Sequence, residues 1–235
     1  TTARLDGDHY VVNGAKMFIT SGMRADWYTV AVRTGGPGAA GVSLLGIERD
    51  TPGFTRSELK KMGWWASDTA ELHFDDCSVP ASNLIGAEGQ AFPLIMRNFN
   101  GERLTLAASA CGAAQACLED AVAWARERKT FGQPLIAHQV IRHKLVDMAE
   151  RIEATRALID DLASRLDGGE QPVAQTAMAK NYAARTMQFC ADAAVQILGG
   201  SGYMRGVRVE RIYREVKVMM IGGGAEEVLK DLAAR

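Results

Sequence analysis

IRHKLVDMAERIEATRALIDDLASRLDGG, residues 141–169, is the stretch that decides the fold. Within it Ile141, Leu145, Met148, Ile152, Thr155, Ile159, Leu162 and Leu166 recur at alternating steps of four and three. That is the period of a bundle seam, and Gly168-Gly169 supplies the stop. Pro172 fits the first turn of a second helix, which carries Ala177, Ala184, Met187, Ala191, Ala194 and Leu198 before Gly199-Gly200. Upstream, residues 104–118 read LTLAASACGAAQACL with no charge on any face, a helix for the middle of a bundle. Two shorter helices are expected near residues 207–220 and 225–234.

Before about residue 85 the period changes to that of strands. Asp6-Gly7 and Asn13-Gly14 bracket His9–Val12, and the second dipeptide opens residues 15–20 in the manner of a hairpin. Further strands are expected at 27–32, 42–47 and 70–74, set apart by Gly35-Gly36-Pro37-Gly38 and Thr51-Pro52-Gly53. A mostly antiparallel β domain therefore precedes an antiparallel helix bundle, an α+β architecture.

Composition narrows the function classes. Of 235 residues 47% are apolar and 23% charged, with a formal net charge of −1, which leaves no electrostatic footprint for nucleic acid or an anionic membrane. No apolar run approaches the roughly 18–20 residues that span a bilayer. Cys77, Cys111, Cys117 and Cys190 form no Cys-x-x-Cys pair, and His9, His73, His138 and His143 have no metal-ligand spacing. Buried thiols in a reduced, cytoplasmic protein are expected, with no metal. The chain opens without Met inside a strand-and-turn region, so a fragment of a longer protein is expected.

Glu102 is the carboxylate to weigh for chemistry. It stands just before the uncharged helix, with Phe99 three residues earlier and Leu106 four later on the same side. Apolar surroundings disfavour the anion and move a carboxyl toward the range of a working base. The bland alternative is a solvated glutamate favoured by the positive end of the helix dipole.

Several runs together resemble the acyl-CoA dehydrogenase family: Asn13-Gly14-Ala15-Lys16-Met17-Phe18-Ile19-Thr20, Arg128-Lys129-Thr130-Phe131-Gly132, Gln196-Ile197-Leu198-Gly199-Gly200-Ser201-Gly202-Tyr203 and Glu210-Arg211-Ile212-Tyr213-Arg214-Glu215. Each alone is weak; their co-linear order across nearly the whole chain is specific. The resemblance implies an antiparallel β-barrel or sandwich middle domain over residues 1–87 and an antiparallel four-helix bundle over 88–235. It also implies a helical N-terminal domain that this chain lacks, and assembly as a homotetramer. The implied reaction takes the α-proton of an acyl-CoA thioester and passes the β-hydride to the flavin of FAD, giving the trans-2-enoyl-CoA. An electron-transferring flavoprotein is the implied electron acceptor.

Many family members keep their base in the loop before the last helix, at the position held here by Gly223. A branch resembling the isovaleryl-CoA and long-chain dehydrogenases carries it instead in a Glu-Arg-Leu run on the bundle helix, and Glu102-Arg103-Leu104 is that run. Glu102 is therefore assigned as the base, ahead of Glu226 and Glu227, whose place at a helix start has a capping explanation. Gly223 keeps a backbone N–H for the thioester oxygen, and its missing side chain leaves space opposite Glu102 for a branched or bulky acyl group. Phe99, Asn100 and Arg103 fall on the substrate side.

For the flavin the resemblance implies Phe18 and Thr20 at the isoalloxazine, Arg128 at the pyrophosphate and Phe131 near the adenine. Gln196, Gly199 and Gly200 lie along the dinucleotide. Ala225 and Glu227 stand where the family often has a hydroxyl residue and Gln, so the flavin contacts at those two places differ. The plain alternatives are an alternating strand for Phe18, a basic helix end for Arg128 and a helix C-cap for the glycine pair. An acyl-CoA oxidase, another flavoenzyme on the same scaffold, or a noncatalytic helical scaffold are the alternative functions.

Overall fold

The computed structural model describes all of residues 1–235, which divide into two compact units, Thr1–Asn98 and Phe99–Arg235. In the first unit the strands are β1 (Thr2–Asp6), β2 (His9–Thr20), β3 (Trp27–Arg33), β4 (Val42–Glu48), β5 (Phe54–Glu58), β6 (Thr69–Pro80) and β7 (Leu84–Ile85). They form one seven-stranded sheet in the order β5-β6-β2-β1-β3-β4-β7. Every pairing is antiparallel except a single parallel bridge, Thr2 to Arg33, between β1 and β3. The order has two ends, so the sheet is sandwich-like and not the closed barrel that one form of the expectation allowed. Alternate residues of β3 (Tyr28, Val30, Val32) and, with a step of three at the register shift against β2, of β6 (Leu72, Phe74, Cys77, Val79) lie in its core, where Phe54 stacks on Phe74 with ring centroids 4.9 Å apart.

The hairpin expected at Asn13-Gly14 is not there. The hairpin lies one turn earlier, where Asp6 pairs with His9 across Gly7-Asp8 and Gly7 has φ 61°. Strand β2 runs straight through Asn13-Gly14 with a bulge against β6 between Val12 and Gly14. Asn13 holds that bulge by donating to Asp76 Oδ1 (2.8 Å) and accepting from the Asp76 N–H (2.9 Å). Gly14 is required there, since a Cβ would stand 2.8 Å from Thr1 Cα at a φ of 128°.

The second unit contains five helices: α1 (Ala91–Glu127, which begins in the first unit), α2 (Gln139–Asp167), α3 (Val173–Leu198), α4 (Arg208–Ile221) and α5 (Glu226–Ala233). A short hairpin, β8 (Lys129–Thr130) with β9 (Gln133–Pro134), joins α1 to α2. The seam of α2 is as read: Leu145, Met148, Ile152, Thr155 and Leu162 are buried. Thr155 and Thr186 pair their hydroxyls at 3.0 Å inside the seam, and α2 ends on Gly168. Small residues on α1 (Ala107, Ala110, Ala114, Ala121, Ala125) and on α3 (Ala177, Ala184, Ala191, Ala194) are buried. Cys77, Cys111, Cys117 and Cys190 are buried free thiols, and burial pushes Cys117 and Cys190 up to about 12. No helix is long and apolar enough to cross a membrane.

Two expectations about α1 change. It starts at Ala91, so Glu102 lies about three turns inside the helix, beyond reach of the dipole of its first turn. Nor is α1 enclosed all round within this chain: Thr105, Ala108, Ser109 and Gly112 are exposed.

Candidate active site

The sequence α1-Phe99-Asn100-Gly101-Glu102-Arg103 meets the loop between α4 and α5, Gly222-Gly223-Gly224-Ala225, within the second unit. Arg103 is 6% exposed, donates from Nε to the Gly223 carbonyl at 3.1 Å and from Nη1 to Asn100 Oδ1 at 3.0 Å. Its guanidinium carbon lies 5.8 Å from the Phe99 ring centroid. Burial lowers the Arg103 pKa, opposed by the neighbouring Glu102 charge, and a guanidinium stays cationic regardless. Phe99, Asn100, Arg103 and Gly223 are thus brought together, with Arg103 spending donors on the loop rather than standing exposed.

One turn along α1, Leu106 covers the other side of the loop. A Cβ on Gly223 would stand 2.6 Å from Leu106 Cδ1, and Gly223 has φ 70°. The expected open space at Gly223 is therefore already occupied, by the residue that shares a helix face with Glu102. Glu102 itself is exposed in this chain rather than set in apolar surroundings, because the buried stripe of α1 runs through Arg103, Ala107 and Ala110 and leaves position 102 at its edge.

The rival carboxylates are differently placed. Glu226 accepts from Arg185 and pairs with Lys230 Nζ at 2.9 Å; the Arg185 and then the Lys230 hydrogen bonds hold its carboxyl at about 2. Glu227 is exposed in the first turn of α5, and Ala225 caps that helix by accepting from the Leu229 N–H at 3.0 Å.

Arg128, Gly199 and Gly200 line one cleft of about 470 Å³ together with Trp124, Thr130, Leu135 and Ser201. Nothing lies within 4 Å of where a side chain would begin on Gly199 or Gly200, so that wall is open to close approach. Gln196 does not join them: it lines a separate cleft of about 570 Å³ with Asp192, Tyr203, Arg205 and Arg214. Phe131 tips the β8–β9 hairpin, where it and Gly132 both have positive φ (53° and 82°), the geometry of a two-residue primed turn. Its ring is 97% exposed. In the first unit Phe18 is 76% exposed at φ 62°, in the irregular stretch of β2 between Lys16 and Ile19, and Thr20 is exposed too.

Sequence reading missed Lys180. It fills the gap between Ala177 and Ala184 in the α3 seam, is 1% exposed and donates to the Gly224 carbonyl at 2.8 Å. The signal was the broken apolar spacing itself, which demands a seam residue at 180 or 181.

Profile comparison matches residues 1–77 to "Acyl-CoA dehydrogenase, middle domain" and residues 89–235 to "Acyl-CoA dehydrogenase, C-terminal domain". The chain belongs to the acyl-CoA dehydrogenase family. Relatives include an acyl-CoA dehydrogenase of Bacillus subtilis, 43% identical over all of this chain and 62% of its own length. Mitochondrial isobutyryl-CoA dehydrogenase of Dictyostelium discoideum is 41% identical over all of this chain and 57% of its own. The crystal structure of acyl-CoA dehydrogenase from Geobacillus kaustophilus superimposes with a TM-score of 0.97 at 40% identity, over all of this chain and 63% of that one. The chain thus spans about three-fifths of the length of its relatives.

Proposed function

We propose that the full-length protein is an FAD-dependent acyl-CoA dehydrogenase with Glu102 as the base. The observation that supports this most is the convergence of Arg103 and Leu106, one residue and one turn from Glu102, on Gly223, the loop position that resembles the one at which many family members keep their glutamate. Glu226, one of the rival carboxylates, is held as an anion by Arg185 and Lys230. In this reading the Glu102 carboxylate accepts the α-proton as the Cα–H bond breaks, and the Gly223 N–H donates to the thioester oxygen as negative charge gathers there. Phe99, Asn100 and Arg103 shape and hold the loop side of the substrate slot.

The residues present fit FAD: the open glycine wall beside Arg128 suits a pyrophosphate, and the exposed Phe18, Thr20 and Phe131 suit ring contacts. When bound, the flavin supplies the acceptor for the β-hydride. Gln196, Ala225 and Glu227 are proposed at its periphery. Electrons then pass to an electron-transferring flavoprotein, on family membership alone. Assembly as a homotetramer is supported by large apolar side chains left exposed on the second unit, Val140, Val146, Met178 and Ile221 among them. The name of the Dictyostelium relative favours a branched acyl group.

The test is anaerobic titration of the full-length, flavin-loaded protein with isobutyryl-CoA and straight-chain acyl-CoAs, wild type beside Glu102→Gln. Bleaching of the flavin in wild type only is expected. Absence of bleaching with every thioester overturns the dehydrogenase reading, and rapid reoxidation by air with peroxide release replaces it with an oxidase.

A further inference from the structure

Three consecutive glycines make the loop at the proposed thioester site the least constrained backbone in the second unit, and two of them have positive φ (Gly223 70°, Gly224 115°). A fixed donor stabilises developing charge only when it does not reorganise as the charge appears. The structure shows how this loop is held. The Gly222 N–H donates back to Val218 O at 2.7 Å, closing α4. Arg103 from α1 grips the Gly223 carbonyl at 3.1 Å, and Lys180 from α3 grips the next carbonyl, Gly224, at 2.8 Å. Asn181 then donates to the Glu226 carbonyl at 3.0 Å.

In a trans peptide the carbonyl and the N–H point opposite ways. Two cations that draw successive carbonyls toward themselves therefore turn the Gly224 and Ala225 N–H groups the other way and fix the torsions of Gly224 from both sides. The Gly222 N–H bond to Val218 fixes the peptide before Gly222. The Gly222–Gly223 peptide, which carries the Gly223 N–H, is left between these anchors. We infer that Lys180 is a positioning residue of this site: with Arg103 it pins the Gly223–Gly224 and Gly224–Ala225 peptides, the downstream anchor that keeps the Gly223 N–H aimed at the thioester oxygen. This rests on the proposed dehydrogenase reading.

The arrangement is costly, which separates it from ordinary packing. An ammonium at 1% exposure is expensive to bury, and Arg103 adds a like charge that further disfavours it. The Glu226 carboxylate offsets only part of that. Accordingly burial, and then Arg103, bring the Lys180 ammonium down to about 8. A seam position that needed only to be filled takes an uncharged residue, as the other seam positions of α2 and α3 do.

Full-length, flavin-loaded Lys180→Met tests this against wild type, with acyl-CoA protonated or deuterated at the α-carbon. Expected are a fall in kcat of roughly 10- to 100-fold, the range typical for partners that orient a working group. KM should stay within about threefold, the deuterium effect on kcat should persist or grow, and flavin content and thermal midpoint at pH 7 should be undiminished. A wild-type kcat, or joint loss of flavin and thermal stability with no separate effect on kcat, overturns the positioning role. Lys180→Gln, which keeps a donor without the charge, serves if Lys180→Met does not fold, with an intermediate kcat expected. Failure of both variants to fold also overturns it. Crystal structures of wild type and variant read the loop without any chemistry: displacement of Gly223 N by more than about 0.5 Å supports the inference and superposition overturns it. A wild type silent toward all thioesters overturns the dehydrogenase reading, while the loop comparison still decides the role of Lys180.

Discussion

Leu106 Cδ1 stands 2.6 Å from the point where a Cβ on Gly223 would begin. Leu106 lies on α1 and Gly223 in the loop between α4 and α5, and the contact means that the loop and α1 are fitted to each other as glycine against leucine. Restoring a glutamate at 223 therefore does not simply return the base to the loop. Gly223→Glu meets both the Leu106 methyl and a φ of 70°, so a loss of about 1–3 kcal/mol in stability is expected. In the Glu102→Gln background it should leave flavin bleaching by acyl-CoA absent. Denaturant midpoints and anaerobic titration of the single and double variants check both halves.

The carboxylates near the loop should separate cleanly. Glu102→Gln is expected to slow flavin reduction by on the order of 100-fold or more, the scale of a lost general base. Glu226→Gln removes the partner of Arg185 and Lys230, and its effect falls on stability instead. Because Glu226 is held at about 2 against an ordinary 4.5, its contribution is fully present above about pH 4.5 and is lost as pH falls toward 2. Stopped-flow reduction at pH 7 with thermal melts from pH 7 down to 3 measures the pair. Comparable loss of rate in Glu226→Gln overturns the assignment of Glu102.

How much of this was legible in the sequence depends on what each residue answers to. The α2 seam from Ile141 to Leu166 answers to its own period, and every position of it is buried or half-buried. Asn13-Gly14 carries a turn signature, yet its amide serves Asp76 on β6, a partner 63 residues away that no local pattern announces. Glu102 was legible as a motif but not in its environment, since exposure depends on which face of α1 the rest of the chain covers. Lys180 was readable only as a gap in an apolar spacing; its reason is a carbonyl 44 residues on.

Phe18 gives a trade between stability and flavin retention. Its ring is 76% exposed and its φ is 62°, so within this chain it adds strain and little burial. Phe18→Gly relieves the left-handed backbone and should stabilise the β unit by about 0.5 kcal/mol or leave it unchanged. The same change removes the proposed ring contact, so the full-length variant should lose flavin on gel filtration more readily than wild type. A variant that is less stable and still fully yellow overturns the reading of that strain as functional.

Lys180 gives a stability difference that changes with pH in a stated direction. The buried ammonium titrates at about 8, and the unfolded lysine at its ordinary 10.5. Below pH 8 both states carry the charge and the folded state bears the burial penalty. Between 8 and 10.5 the unfolded chain binds more protons than the folded one, so stability from this group rises with pH. Met carries no charge, and all other groups are common to both proteins. Lys180→Met should therefore be at least as stable as wild type at pH 7, and wild type should gain on it steadily as pH climbs from 8 to 10.5. Urea denaturation of the two full-length proteins at pH 7, 8.5 and 10 follows the difference. A gap that stays constant, or one that widens in favour of the variant as pH rises, shows that burial does not dominate the Lys180 ammonium and removes the energetic argument for its role.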